Sequence, residues 1–368
     1  MATPAGANEE CVGPASEQAG TASSCAGCPN QQLCASGELR KPNPEQAAVH
    51  EALARIGRTV MVLSGKGGVG KSTFSAQLAF GLAKQGKRVG LLDLDICGPS
   101  IPLMLGLAGR DVHPSASGWS PVYVDVDTEG DEDLELGVMS IGFLMPDPDS
   151  AVIWRGPRKN GLIQQFFTTV NWGELDYLVI DTPPGTSDEH ITIVNLLKDV
   201  LKPDDGAVVV TTPQEVAMMD VRKELNFCKK TKIPVLGVVE NMATMHVPVS
   251  GLNFASKSGK LVTEETLELI RAKCPELLDL DIQMSVFPPA GEGPRGMAAK
   301  FEVPFLGTLP LDPGLQNAGE NGRPVVDGQA VEPLREIVAK IIATGPASSS
   351  QANGNQPSAA GGSGVVSA

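Results

Sequence analysis

Short apolar runs and amphipathic segments alternate along most of the chain. The apolar runs have strand length and are RTVMVLSG, RVGLLDLD, DYLVIDTPPG, GAVVVTTP and PVLGVVENM. Segments with helical periodicity separate or precede them: EQAAVHEALARI, KSTFSAQLAFGLAKQ, RKNGLIQQFFTTV and VAMMDVRKELNFCKK. Almost wholly apolar strands that alternate with helices are typical of a parallel sheet covered on both faces. The pattern therefore predicts a doubly wound, mostly parallel α/β fold.

One segment departs from this alternation. In VYVDVDTEGDEDLELGVMSIGF, residues 122–143, two strand-like pieces flank an acidic turn. The spacing predicts a hairpin excursion that interrupts the alternation of strands and helices.

Both ends of the chain differ in composition from the middle. Residues 1–44 are rich in Ala, Gly, Ser, Pro and Cys and lack periodicity, which predicts a cysteine-rich segment ordered by what its cysteines bind. Residues 45–344 carry the α/β pattern and are predicted to form one NTPase domain. Residues 345–368 are of low complexity, and we predict a disordered tail there.

Charge and hydropathy narrow the classes of partner. The net charge is -14 and no long basic run occurs, so nucleic acid is not an expected partner. The chain has no 18-residue apolar stretch, and its start, MATPAGANEE, resembles neither a secretory signal nor a transit peptide. We therefore expect a cytoplasmic protein that does not insert into a membrane.

The first apolar run leads into a phosphate-binding motif. SGKGGVGKST, residues 64–73, contains G-x-x-x-x-G-K-S at Gly65, Gly70, Lys71 and Ser72. Glycines allow successive backbone N–H groups to face a phosphate, the lysine neutralises it, and the serine can ligate Mg²⁺. We predict ATP and Mg²⁺ as ligands. The predicted nucleotide-binding residues of this loop are Gly65, Gly67, Gly68, Val69, Gly70, Ser72 and Thr73.

Carboxylates follow two other predicted strands. Asp181 ends DYLVIDTPPG, where a carboxylate that holds Mg²⁺ through water is expected, although it could also cap the turn before Pro183. Asp93 and Asp95 end RVGLLDLD. Asp93 could be structural and fix the loop.

A second lysine in the motif, Lys66, carries a first resemblance. With Lys66 and Lys71 together, the loop resembles the deviant P-loop NTPases, which include the partition, septum-positioning and nitrogenase iron-protein families. The resemblance implies that Lys66 reaches the nucleotide of a partner subunit in a nucleotide-sandwich dimer. It also implies that Asp95 orients the attacking water. We therefore predict Lys66, Lys71, Asp95 and Asp181 as the catalytic residues.

Four cysteines cluster near the start of the chain. Cys11 is followed by CAGCPNQQLC, which contains Cys25, Cys28 and Cys34. A reducing compartment makes a disulfide framework the minor reading. Four thiolates can bind Zn²⁺ or a four-iron cluster, and their spacing leaves the two evenly open.

A series of motifs carries a closer resemblance. DLDICGPSIP, WRGPRKNGLIQQF, DTPPGTSDEH, VVENM and VPFLGTLPLDP follow one another as in the Mrp/Nbp family, over roughly residues 45–343. CVGPASEQAG with CAGCPNQQLC is similar to the cysteine extension of the eukaryotic cytosolic Nbp-type iron-sulfur scaffold. The resemblance implies a [4Fe-4S] cluster on the four cysteines. It further implies that Asn241 contacts adenine and that Leu309 to Asp312 close the nucleotide pocket.

The chain departs from the family at one point. Relatives commonly carry a second C-x-x-C after ENM, whereas this chain reads ENMATMHVPVSGLNFASKSG. In this respect it is similar to plant and algal members of the family. The ligands of any cluster that bridges a dimer therefore stay open, as do the roles of Cys97, Cys228 and Cys274.

The resemblance implies a function in iron-sulfur assembly. The expected protein is a slow ATPase that serves as scaffold and carrier. Its expected partners are itself or a related NTPase subunit, apo iron-sulfur proteins and targeting factors. Three alternatives stay open: a positioning ATPase of the partition or septum type, an ATP-driven iron-sulfur electron donor, and a zinc-stabilised nucleotide-binding adaptor.

Overall fold

The computed structural model describes residues 6–8, 11–13, 16, 18–37, 44–96, 98–115, 118–128, 134–145, 156–288 and 291–344. Cys97 and the predicted tail at 345–368 lie outside these ranges. The strands are β1 (Ile56–Leu63), β2 (Val89–Asp93), β3 (Pro114–Ser115), β4 (Gly118–Trp119), β5 (Val122–Val126), β6 (Leu134–Ser140), β7 (Leu175–Asp181), β8 (Gly206–Thr211), β9 (Val235–Glu240), β10 (Thr244–Pro248), β11 (Asp281–Ser285) and β12 (Phe305–Thr308). The helices are α1 (Gln31–Ala35), α2 (Pro44–Leu53), α3 (Lys71–Lys84), α4 (Ile101–Met104), α5 (Gly156–Thr169), α6 (Asp188–Leu197), α7 (Glu215–Thr231), α8 (Thr263–Lys273), α9 (Gly293–Lys300), α10 (Pro313–Glu320) and α11 (Val331–Ala343).

Within the described ranges, eight strands form the central sheet, in the order β12-β9-β8-β1-β7-β2-β6-β5. All neighbouring strands are parallel except β5, which runs antiparallel to β6. The inner strands are buried along nearly their whole length, as expected for strands with helices on both faces. The predicted doubly wound α/β fold is confirmed.

Two apolar layers cover the sheet. Phe74, Leu78 and Leu82 of α3 pack with Ile337 and Val338 of α11 on one face. The other face is covered by apolar side chains of α5, α6 and α7, among them Phe166, Phe167, Ile193, Leu197 and Leu225. Each helix turns its apolar stripe to the sheet, and the burial of these stripes stabilises the fold.

The antiparallel strand pair predicted within residues 122–143 is confirmed, and both of its strands belong to the central sheet. β5 and β6 are antiparallel, as a hairpin requires, but β6 also pairs in parallel with β2. Most of β6 is buried, whereas partly buried and exposed side chains alternate along β5 as far as the buried Val126. The hairpin therefore extends the sheet and β5 forms its edge strand.

Parallel strands bring distant residues to one edge of the sheet. β1, β2, β7 and β9 all end at the same edge because they run in the same direction. The loop after β1, Asp95 after β2, Asp181 at the end of β7 and Asn241 after β9 therefore meet there. This carboxyl edge is where open α/β sheets bind ligands.

A small unit follows β9 in the chain and lies outside the central sheet. β10 and β11 form a separate two-stranded antiparallel sheet, and α8 lies in the chain between them. We call residues 244–285 the arm. All of β11 is exposed and α8 buries none of its residues. Among the described residues, no helix is long and apolar enough to cross a bilayer.

Candidate functional site

The phosphate-binding loop, residues 64–73, joins β1 to α3 by a tight turn. Gly70 has φ +85° and stands at the N-terminal end of α3, where a side chain would strain the backbone. A Cβ on Gly65 would lie 2.5 Å from the backbone carbon of Asp220 in α7. The glycines of the motif are therefore needed by the geometry of the loop and by its close contact with α7.

Lys71 is buried beside two carboxylates, and we call Lys71, Ser72, Asp95 and Asp181 together the cage. Its Nζ lies 2.6 Å from Asp181 Oδ2 and 3.8 Å from Asp95 Oδ2. Ser72 Oγ donates to the same Asp181 Oδ2 over 2.6 Å. The structure thus brings together Lys71, Ser72, Asp95 and Asp181, as the sequence predicts. Asp181 and Ser72 are adjacent oxygen donors, which fits a site for Mg²⁺.

Ser75 was missed by the sequence analysis. Its buried Oγ donates to Asp181 Oδ1 over 2.6 Å, so hydroxyl groups of α3 contact both carboxylate oxygens. Ser75 follows Lys71 by four residues, which places both on one side of a helix. Helical periodicity in KSTFS was the signal that could have identified it.

Asp93 fixes the loop that carries Asp95. Its Oδ1 accepts a hydrogen bond from the Asp95 backbone N–H at 3.0 Å, and its Oδ2 accepts one from Ser140 Oγ at 2.8 Å. Complete burial and the negative charge of Asp181 raise the pKa of Asp93 to about 8. Asp93 is therefore a structural group in this site, in agreement with the reading of the sequence, while Asp95 faces the cavity.

Two joined cavities lie over the loop. The first, of about 190 Å³, is lined by Ser64, Lys66, Gly67, Gly68, Gly70, Lys71, Ser72, Thr73, Asp95, Ser100, Met104 and Pro184. The second, of about 290 Å³, is mainly apolar and is lined by Gly70, Thr73, Leu103, Met104, Asn241, Met242, Pro310, Leu311, Asp312, Leu315, Gln316, Gly319 and Glu320. Gly70, Thr73 and Met104 line both. A cationic, N–H-rich cavity that opens into an apolar one matches the two ends of a nucleotide.

Asn241 connects the loop to the apolar cavity. Its Nδ2 donates to the Val69 carbonyl over 2.9 Å, and this contact fixes the loop from the side of β9. Its buried Oδ1 has no hydrogen-bond partner within the part of the chain that is described. An unpaired buried acceptor is costly, so Oδ1 is suited to receive a donor from a ligand in the cavity.

The segment from Leu309 to Asp312 forms a wall of the apolar cavity. Pro310, Leu311 and Asp312 line it directly. The backbone N–H of Leu309 donates to the Glu240 carbonyl at 2.7 Å, which aligns the segment with the end of β9. Asp312 holds the beginning of α10 by accepting from the Gly314 N–H at 2.8 Å.

The two loop lysines differ in environment. Lys71 is 6% exposed, whereas Lys66 is exposed at the edge of the phosphate cavity. The pKa of the Asp220 carboxyl is lowered mainly by the hydrogen bond from Lys223, and the positive charge of Lys66 adds a smaller contribution. Lys66 is therefore accessible to a second molecule at the edge of the cavity.

A buried polar pair, which the sequence did not predict, joins α6 and α7. His190 Nε2 of α6 is 3.8 Å from Glu224 Oε1 of α7, and both side chains are at most 1% exposed. Burial lowers the pKa of His190 to about 4 and raises that of Glu224 to about 8. Both groups are therefore uncharged near neutral pH, which avoids the cost of a buried charge.

The four N-terminal cysteines lie on a folded segment. Cys25 and Cys34 are each 6% exposed, Cys11 and Cys28 are half-buried, and none of the four forms a disulfide. Asn8 Nδ2 donates to the Ser24 and Ala26 carbonyls at 2.9 and 3.3 Å, so the chain before Cys11 contacts the turn around Cys25.

Four cysteine thiols outside any disulfide suit a four-iron cluster or zinc as a set of ligands. In the described ranges, however, no three His, Cys, Asp or Glu side chains converge as ligands of one metal ion. The four-cysteine site thus stays a prediction. Of the remaining cysteines, Cys228 is buried and Cys274 is exposed.

Comparison with known proteins agrees with this geometry. The family profile described as ParA, NUBPL iron-transfer P-loop NTPase, matches residues 55–285. A nucleotide-binding protein from Archaeoglobus fulgidus, solved in complex with ADP, is 36% identical. The match covers 76% of this chain and 91% of that one, with a TM-score of 0.56.

More distant matches include the cell division ATPase MinD of Pyrococcus furiosus. It is 20% identical, with 78% of this chain and 99% of that chain covered and a TM-score of 0.47. The family match spans more than half of the chain, and the Archaeoglobus protein exceeds one third identity over three quarters of it. The chain therefore belongs to the ParA/NUBPL family of iron-transfer P-loop NTPases, of the Mrp/Nbp type.

Proposed function

We propose that this chain is an ATP-binding scaffold of cytosolic iron-sulfur cluster assembly, which holds a [4Fe-4S] cluster and passes clusters to apoproteins. The observation that carries the proposal is the cage of Lys71, Ser72 and Asp181 beneath two joined cavities. It occurs in a chain of an iron-transfer family that also carries Cys11, Cys25, Cys28 and Cys34.

The nucleotide occupies both cavities. Its phosphates lie among the backbone N–H groups of the loop, and its adenine enters the apolar cavity beside Asn241. The unpaired Oδ1 of Asn241 accepts a hydrogen bond from the exocyclic amine of adenine, since guanine presents a carbonyl at that position. The ADP in the Archaeoglobus relative supports a purine nucleotide as the ligand.

Nucleotide binding changes the partner of Lys71. Lys71 is paired with the carboxylate of Asp181. A phosphate offers Lys71 a second anion, and the carboxylate of Asp181 is then released to hold Mg²⁺ together with Ser72. The ion, when bound, neutralises charge on the phosphates.

Hydrolysis needs a positioned water and a further cation. Asp95 orients the water, and Lys66 of a second copy reaches the phosphates in a nucleotide-sandwich dimer. The exposed position of Lys66 at the edge of the cavity supports this role. The reaction is slow, as suits a carrier that uses nucleotide state for control.

ATP controls cluster transfer through two states of the protein. A nucleotide changes cluster affinity only if it binds two conformations unequally. The exchange of Lys71 between Asp181 and phosphate supplies such a difference, because Asp181 begins the loop that leads to α6. Apo iron-sulfur proteins and targeting factors are the proposed partners, with a related NTPase subunit as a second partner in the dimer.

A transfer assay tests the proposal. The full chain, loaded anaerobically with iron and sulfide, is mixed with apo-aconitase, and recovered aconitase activity is followed with and without Mg-ATP. We expect nucleotide-dependent transfer that Lys71→Ala abolishes and Lys229→Ala, on the exposed end of α7, leaves intact. Transfer that is unchanged in Lys71→Ala would show that the nucleotide site does not control delivery.

A further inference from the structure

The arm begins next to a strained residue of the apolar cavity. Met242 has φ +56°, a left-handed conformation that is costly for a residue with a side chain and is kept at ligand sites and switch regions. Lys232 and Glu302 share this conformation, but they stand at the C-terminal ends of α7 and α9, where it is ordinary. Met242 does not end a helix, and the arm starts two residues later. We call residues 242–244 the root of the arm.

The side chain of Met242 reaches the phosphate-binding loop. It lines the apolar cavity, and its Cε lies 3.6 Å from the point that a Cβ on Gly70 would occupy. Gly70 lines both cavities. A ligand that extends through both cavities therefore lies beside Met242, at the first residue of the root.

The backbone joins the root to the wall of the same cavity. The Ala243 N–H donates to the Leu309 carbonyl at 3.2 Å, and the Leu311 N–H donates to the Thr244 carbonyl at 2.7 Å. Leu311 is itself a lining residue of the apolar cavity. The Val286 N–H, where the chain leaves the arm, donates to the Ala243 carbonyl at 3.3 Å. Both ends of the arm are thus bonded at the root, and the root is bonded to the cavity wall.

The rest of the arm has a large exposed surface. Every residue of β11 is exposed, and α8 buries none of its residues. Gln329 Nε2 donates to Asp281 Oδ2 at 3.2 Å across the surface, and an exposed hydrogen bond of this kind contributes little to stability. The position of the arm relative to the central sheet is therefore determined mainly at its root.

We propose that the base of the bound nucleotide controls the order of the arm. Adenine in the apolar cavity packs against Met242 and Leu311, which stiffens the root and reduces the motion of the arm relative to the central sheet. The proposal rests on the proposed binding of ATP across both cavities. It adds a route from the base to the arm that is separate from the exchange of Lys71 between Asp181 and phosphate.

Hydrogen exchange of the full chain tests the proposal, with Mg-ADP and Mg-tripolyphosphate compared. The amides of Ala243, Val286 and Leu311 donate the hydrogen bonds that hold the root, and saturating Mg-ADP should slow their exchange by about tenfold. Tripolyphosphate occupies the phosphate cavity alone and should leave these three amides unchanged. Calorimetry under the same conditions establishes that each ligand is bound.

Two variants of the apolar cavity identify the route. Met242→Gly removes the side chain and accepts φ +56° without strain. The chain should therefore fold and bind ADP through its phosphates, while the ADP-dependent protection is lost. Leu103→Ala shortens another side chain that lines the cavity, on α4 instead of the root. It should weaken ADP binding and retain the protection at saturating ADP.

ADP binding and amide protection separate this proposal from the proposed function. Failure of the chain to bind Mg-ADP would overturn both. Bound ADP without slower exchange at the three amides would overturn only the control of the arm. Equal protection by tripolyphosphate, or protection in Met242→Gly that matches the wild-type chain, would overturn it as well, because neither involves contact of the base with Met242. An equal loss of protection in Leu103→Ala and Met242→Gly would also contradict the route through the root.

Discussion

Lys71 Nζ lies 2.6 Å from Asp181 Oδ2, and the two side chains are 6% and 0% exposed. Each buried charge is compensated by the other, and Ser72 and Ser75 complete the hydrogen bonds of the carboxylate. The phosphate-binding lysine is thus held by the carboxylate proposed to bind Mg²⁺. Residues of the proposed nucleotide site therefore also contribute to the stability of the fold.

The two loop lysines should separate stability from activity. Lys71→Ala leaves Asp181 buried without a counter-charge, and we expect the free energy of unfolding to fall by about 3 kcal/mol. Lys66→Ala changes an exposed side chain and should alter it by less than about 0.5 kcal/mol, while it reduces ATP turnover. Urea unfolding and phosphate release measure the two effects. Equal stability of the two variants would contradict the buried ion pair.

Ser75 should support the Mg²⁺ site through Asp181. Ser75→Ala removes a buried 2.6 Å hydrogen bond to Asp181 Oδ1. We expect about a tenfold weaker apparent affinity for Mg²⁺ in the presence of ATP, because the carboxylate is less well oriented. A Mg²⁺ titration of ATP turnover measures it. Thr192→Ala, which removes an exposed hydroxyl bonded within α6, is the control, and an equal loss there would refute the role of Ser75.

Asn241 should determine base selectivity. Asn241→Ala removes the unpaired Oδ1 from the apolar cavity, and we expect the ratio of GTP to ATP dissociation constants to fall by about tenfold. Competition of each nucleotide against a fluorescent ATP analogue gives both constants. Asn317→Ala, on the exposed side of α10, should leave the ratio unchanged. If ATP and GTP weaken equally, Asn241 acts only by fixing the loop at Val69.

Glu224 should make stability depend on pH. Burial raises its pKa from 4.5 to about 8, so between these values the folded chain keeps a proton that the unfolded chain releases. The free energy of unfolding therefore falls as pH rises through this window. His190, with its pKa lowered from 6.5 to about 4, gives the opposite slope below pH 6.5.

Above pH 6.5 the contribution of His190 has ended, and comparison with the Glu224→Gln variant separates Glu224 from Asp93, whose pKa is also raised to about 8. Between pH 6.5 and 8, the free energy of unfolding of Glu224→Gln should fall by about 2 kcal/mol less than that of the wild-type chain. Urea midpoints at several pH values measure the difference. The exposed Glu268→Gln should follow the wild-type curve, and parallel curves for Glu224→Gln and wild type would show that Glu224 is ionised in the fold.

The positions of site residues were predicted best where the residues belong to one short, continuous motif. The loop from Gly65 to Thr73 and Asp181 at the end of β7 were placed correctly, because the direction of parallel strands fixes where each strand end lies. Asn241 was predicted from the family resemblance as a contact of adenine, and the structure places it beside the loop. The sequence did not show that Asn241 contacts Val69, since that depends on side-chain orientation between segments 172 residues apart.

Features that depend on packing between distant segments were missed or misread. His190 and Glu224 have the polarity of surface residues, and only the packing of α6 on α7 buries them together. β5 has the alternation of a half-exposed strand, which fits an excursion and a sheet edge equally well. The pairing of β6 with β2 makes β5 a sheet edge, and nothing in the sequence of either strand predicts that pairing.

Mössbauer spectroscopy of the chain reconstituted anaerobically with ⁵⁷Fe and sulfide, together with iron and zinc content, tests the central claim most directly. We expect about four iron atoms per chain in a four-iron cluster, and loss of that signal in the variant with Cys25→Ser and Cys28→Ser. Cys274→Ser, at an exposed thiol, should retain it. One tightly bound zinc per chain with no iron uptake would contradict the account.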